Sequence, residues 1–202
     1  MATYFITGIG TGIGKTLISA ILTEKLKADY WKPIQSGDLE TSDSLTIENL
    51  ISNLKTVIHP ESYRLTQPLS PHLSAKLDGI EIDLNKINIP ITENDLIIEG
   101  AGGLMVPLNE NELIVDLIKK LDAEVILVSQ NYLGSINHTL LSINLLKQYG
   151  IEIKGIIFNG DENAETERYI QQYAKVKKLG YVPHLNQIDK GSVVAAGEDI
   201  LI

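Results

Sequence analysis

Apolar residues along this chain fall into two patterns. Some form short apolar runs: Tyr4-Phe5-Ile6, the stretch DLIIE at 95–99 and the stretch at 125–128, with further strands expected at 153–158 and 179–182. Each is the length of a strand, and apolar residues at successive positions require cover on both faces. Elsewhere apolar residues recur every three or four positions, as Leu17, Ile18, Ile21, Leu22 and Leu26 do. That spacing predicts helices over 17–27, about 43–54, 114–121, 135–149 and 164–175. Ser42 or Asp43 suits the N-cap of the second, and Gly150 the stop of the fourth. A further strand is expected over 30–34, closed by proline. Pro60, Pro68, Pro71 and Pro90 break 59–94 into short pieces, with a helix expected over 72–77 and another starting near Asp83. This irregular region is expected to lie over one face of the sheet.

Strands and helices alternate from end to end. That order predicts an α/β fold: one domain, 1–202, with a doubly wound, mainly parallel sheet and helices on both faces. In such sheets ligands bind beyond the carboxyl ends of the strands. The polar residues of interest fall at those ends.

The first strand runs into Gly8-Ile9-Gly10-Thr11-Gly12-Ile13-Gly14-Lys15-Thr16-Leu17 and then into a helix. Strand, glycine-rich turn and Gly-Lys-Thr helix start together form a phosphate-binding loop, one residue longer between Gly8 and Gly14 than the common form. Backbone N–H groups of the turn and of the helix start converge on an anion. Lys15 adds positive charge near the outer phosphates, and the Thr16 hydroxyl suits a magnesium ion carried by the nucleotide. Glu99, at the end of an apolar strand, is the natural second oxygen ligand. Asp43 is either a third ligand or only a helix cap. Lys32, at the end of the second strand, is placed to reach a γ-phosphate or a carboxylated substrate.

Composition narrows the classes. The chain has 202 residues, a formal charge of −9 and no cysteine. The negative charge disfavours nucleic acid and anionic membrane as partners. Without cysteine there is no disulfide and no thiolate chemistry. No signal-type segment or membrane span is expected, which suits a cytoplasmic protein. The four histidines show no metal spacing.

Several motifs in order now carry a resemblance. They are the loop to Thr16, Lys32-Pro33, Ser36-Gly37, Ser42-Asp43, Ser70-Pro71-His72, Glu99-Gly100-Ala101-Gly102-Gly103, Leu133-Gly134 with Ile136-Asn137-His138, and Asn159. Their order and approximate spacing resemble the dethiobiotin synthetases across nearly the whole chain. The resemblance implies an ATP- and magnesium-dependent ligase of biotin synthesis, converting 7,8-diaminopelargonic acid, carbon dioxide and ATP to dethiobiotin, ADP and phosphate. It implies Lys32 and Lys15 at the reacting phosphate and carbamate, and magnesium on Thr16, Asp43 and Glu99. Nucleotide contacts are implied for Gly12 to Leu17, Gly100, Ala101, Gly102, Asn159, Gly160, Pro183, His184 and Leu185. Thr11 and Ser36 are implied near the diamine. Gly134, Ser135, Ile136 and Asn137 are implied to take the substrate carboxylate across a homodimer interface, where Tyr169 would help. The chain departs from the family where acidic residues are common, at Gly10 and Gly12. The alternative is a partitioning or positioning ATPase switch of the same fold. That class needs a lysine early in the loop, where this chain has Gly10.

Overall fold

The computed structural model describes residues 1–202. Seven parallel strands form the central sheet: β1 (Thr3–Gly8), β2 (Asp29–Trp31), β4 (Ile58–His59), β6 (Leu96–Gly103), β7 (Glu124–Ser129), β8 (Ile153–Asn159) and β9 (Lys178–Val182). Their spatial order is β4-β2-β6-β1-β7-β8-β9. Both faces are covered, as the continuous apolar runs require. On one face, α1 (Lys15–Leu26), α2 (Asp43–Leu50) and α7 (Lys190–Gly197) pack through Ile18, Ile21, Leu22, Ile47 and Val193 onto Ile6, Ile97, Ile126 and Ile157. On the other, α3 (Pro71–Leu77), α4 (Ile114–Leu121), α5 (Ser135–Gln148) and α6 (Ala164–Ala174) cover Phe5, Ile98, Val125, Leu127 and Phe158. Successive residues of one strand thus feed opposite cores. No helix is long and apolar enough to cross a membrane.

Three expectations are corrected. The stretch 30–34 is not one strand. Pro33 has no N–H to continue a ladder. The chain leaves the main sheet after Trp31, and β3 (Ile34–Ser36) pairs instead with β5 (Tyr63–Leu65) in a separate parallel pair. The second helix ends at Leu50, not near 54, because Glu24 accepts the backbone N–H groups of Ser52 and Asn53 and holds them extended from the helix. The stretch after Leu185, for which no element is expected, forms α7. Asp189 and Ser192 cap it reciprocally, and Gly197 lies against Ile21 while Lys25 donates to its carbonyl at 2.7 Å.

The order of strands locates the site. From β1 the chain crosses through α1 toward β2; from β6 it crosses through α4, on the other face, toward β7. β1 and β6 are neighbours with connections leading in opposite directions, which opens a crevice at their carboxyl ends. There the register slips between Ile6, opposite Glu99, and Gly8, opposite Gly103.

Candidate active site

A cleft of about 740 Å³ opens at this switch point. The loop after β1 forms its floor. Gly14 sits at φ 87 as N-cap of α1, and a Cβ there would lie 2.2 Å from the Asn159 amide nitrogen, so both backbone and space require glycine. The first helical bond runs from Ile18 N–H to the Gly14 carbonyl. The N–H groups of Lys15, Thr16 and Leu17 therefore have no helical partner, and no acidic side chain stands in the first turn. This is a built anion cradle.

Above the cradle, four polar side chains meet. Thr16 Oγ1 lies 2.9 Å from both Asp43 Oδ1 and Glu99 Oε1. A hydroxyl has one proton and cannot serve both carboxylates. Lys32 Nζ contacts Asp43 Oδ2 and lies 3.3 Å from Glu99 Oε1. Tyr30 donates to Glu99 Oε2 at 2.9 Å. Glu99 is 1% exposed and Lys32 5%. Lys32 stands just beyond β2, whereas Glu99, expected at the end of its strand, lies inside β6, which continues through the glycines to Gly103. Asp43 comes from the first turn of α2, where Gln35 receives its N–H at 3.3 Å and donates to the Gly37 carbonyl. Asp43 does not cap α2; Ser42 does, accepting from Leu45 N–H.

Electrostatics separate the two lysines. Burial pushes Lys15 below the ordinary lysine value; Glu99 and Asp43 oppose this, and nearby Lys32 adds to it. For Lys32 burial acts in the same sense but is outweighed by Glu99 and Asp43, so its value is raised and it stays an ammonium. Burial, then the Glu99 charge, holds the Tyr30 phenol far above its usual range, so it remains a donor. Lys15 Nζ folds back to the Gly10 carbonyl at 3.1 Å.

The cleft gathers Thr11, Gly12, Gly14, Lys15, Thr16, Lys32, Ser36, Asp43, Glu99, Ala101 and Gly102. Ile13 is buried beneath Gly8, Leu17 faces the apolar core, and Gly100 packs on Phe5, so these three support the walls from behind. Asn159 donates to the Ile13 carbonyl at 2.9 Å. Gly160 lies against the His184 ring, with Pro183 and Leu185 beside it in sequence. The turn Gly134, Ser135, Ile136, Asn137 starts α5 away from this cleft. Sequence reasoning missed Tyr30, Gln35, Asp38, Thr41 and Val106. Tyr30 acts through a hydrogen bond to Glu99 on a strand distant in sequence, which no local pattern marks.

The fold and this loop define the chain as a P-loop nucleotide-binding protein. A family model described as an AAA domain matches residues 2–192. The cell division ATPase MinD of Pyrococcus furiosus superposes with a TM-score of 0.65, covering 98% of each chain at 13% identity, a likeness of fold. Similarity in sequence is narrower. The chain is 59% identical to the ATP-dependent dethiobiotin synthetase BioD of Christiangramia forsetii, over 89% of this chain and 86% of that one. It is 54% identical to the BioD of Cytophaga hutchinsonii, over 96% and 95%. The chain belongs to the ATP-dependent dethiobiotin synthetase family.

Proposed function

We propose that the protein carboxylates and cyclises 7,8-diaminopelargonic acid with carbon dioxide and ATP, giving dethiobiotin, ADP and phosphate. The observation that carries this reading is the meeting of Lys32, Thr16, Asp43 and Glu99 above the anion cradle. In the reaction one amine adds carbon dioxide and loses a proton, giving a carbamate. A carbamate oxygen attacks the γ-phosphorus and ADP leaves. The second amine, as the free base, then attacks the carbonyl carbon and loses a proton, the bond from that carbon to the phosphorylated oxygen breaks, and phosphate departs.

The residues suit these steps. The N–H groups at the start of α1 hold the phosphates, and Lys15 swings from the Gly10 carbonyl onto them. Two carboxylates and a hydroxyl, short of protons among themselves, form a hard-oxygen set that fits magnesium. No third acidic or imidazole side chain joins them, so water and phosphate would complete the shell. Bound there, the ion would neutralise developing phosphate charge. Its arrival on Asp43 and Glu99 would free the Lys32 ammonium to turn to the carbamate and γ-phosphate. A permanently charged, preoriented lysine acts by stabilising charge and not as a base. Asn159 spends its amide N–H on Ile13, which leaves Oδ1 to accept from an exocyclic amine.

The reading includes a homodimer with the site completed across the interface. Leu133, Met105 and Leu141 are exposed apolar residues around the start of α5, beside an apolar depression of about 400 Å³. The Gly134–Asn137 turn, absent from its own cleft, would serve the partner's, and Tyr169, exposed on α6, would assist. The reading includes a cytoplasmic location. The deciding experiment follows ADP release with bicarbonate, with and without the diamine. Release only with the diamine is expected; diamine-independent release would point to an ATPase switch.

A further inference from the structure

We infer that Asp38 binds the ammonium of the substrate's second amine, the one that closes the ring. This rests on the reaction proposed above. The ionisable side chains lining the cleft are Lys15, Lys32, Asp38, Asp43 and Glu99. Asp43 and Glu99 are committed to Lys32 and Thr16. Asp38 stands apart from that group, since no three acidic side chains converge on one point. It sits before a single 3-10 turn, Leu39–Thr41, at the position where aspartate ordinarily caps, yet its side chain accepts no capping bond. The carboxylate is uncommitted.

Its backbone is held in an unusual state. Asp38 lies at φ 50, ψ 38. The other non-glycine residues with positive φ, Lys27, Asp122 and Lys175, all end helices, where a left-handed residue is routine. Asp38 does not. It follows Gly37, also at positive φ, whose Cα is pressed so closely on Pro68 that a Cβ would lie 2.5 Å from it. The turn is thus wedged in place at the cleft wall, with Asp38 exposed there.

The chemistry asks for such a group. An alkyl diamine enters as ammonium at neutral pH, much as lysine does. Two lysines already line the cleft, and the loop 8–15 contains no carboxylate. An unpaired anion admits the second cationic nitrogen and holds it near the carbonyl carbon, which it attacks as the free amine after losing a proton to water.

The test compares Asp38→Asn and Asp38→Gly with the wild type in steady-state kinetics and thermal melts. Asparagine keeps the shape and tolerates left-handed backbone; glycine relieves it. In both variants the KM for the diamine should rise about tenfold or more, as for loss of a charged hydrogen bond. The KM for ATP should not change, and Asp38→Gly should melt at or above the wild-type temperature. An unchanged diamine KM in Asp38→Asn would overturn the role while leaving the reaction standing. So would a KM for ATP rising in step with a falling melting temperature, which marks a structural residue. A wild type that does not consume the diamine would remove the reaction, and this role with it.

Discussion

Two buried carboxylates stand on adjacent strands at opposite ends of the sheet, and they are held in opposite ways. Asp29, at the start of β2, is 2% exposed. It accepts from Val57 N–H at 2.9 Å, Asn94 Nδ2 at 2.9 Å and Thr92 Oγ1 at 2.6 Å, and contacts His59 Nε2 at 3.0 Å. Its partners come from two separate connections, 52–57 and 91–95, and from β4, and they fill both oxygens. Glu99 is as deeply buried, but its partners are a phenol, a shared hydroxyl and a lysine that also serves Asp43. Buried charge is tolerable only when compensated. Asp29 is compensated by fixed donors from several segments and ties those segments together. Glu99 is compensated chiefly by one lysine on a flexible side chain, which it shares with Asp43.

The contrast breaks most sharply at Lys32. Lys32→Ala should lower kcat by about 100-fold or more, the usual cost of removing one preorganised electrostatic donor. Nucleotide affinity, read by calorimetry, should be largely kept. Full turnover would take Lys32 out of the chemistry. Asp29→Ala should do the reverse. Leaving several buried donors unpaired costs about 3 kcal/mol, seen as a lowered melting temperature. Turnover of the folded fraction should be unchanged; a specific kinetic loss would mean the two ends are coupled. Glu99→Gln sharpens the comparison. It should weaken magnesium-dependent nucleotide binding about tenfold while leaving ligand-free stability near wild type, because it removes one of two carboxylates crowded on one lysine. An unaltered magnesium requirement would count against Glu99 as a ligand.

The smallest effect is on pH. Asp29 is held below its ordinary value; burial opposes this, but the bonds from Thr92, Asn94, Val57 and His59 win. A carboxyl lowered in the folded state stabilises the fold above its unfolded value, near 3.8, and that contribution fades as pH falls through the lower folded value. As pH falls below about 4, stability should therefore fall less steeply in Asp29→Asn than in the wild type. Parallel acid-unfolding curves would assign the sensitivity elsewhere.

The two ends were not equally legible in the sequence. DLIIE followed by glycines could be read as a buried strand opening on a site, because apolar residues on both faces and a terminal carboxylate are local signals. The loop to Thr16 is local too, and its reading matches the cradle in the structure. Asp29 carries no local sign: every partner except the strand it begins lies at least 28 positions away. β3 and β5 escaped notice for a similar reason, since each is three residues long and only the pairing defines them. The last helix, KGSVVAAG, has two glycines and little periodicity, and it stands because α1 offers it a surface. The Pro33 break was visible as a proline but not as a change of sheet.

The contact between Asn159 and the loop carries a last consequence. One amide group buttresses the Ile13 carbonyl, just before the phosphate cradle, and lies against Gly14. If the same amide reads the base, as proposed, recognition of the base and tension in the cradle become mechanically one event. A nucleotide stripped of its purine should meet a slacker grip on its phosphates, and the deficit would exceed whatever the missing ring contacts alone supplied.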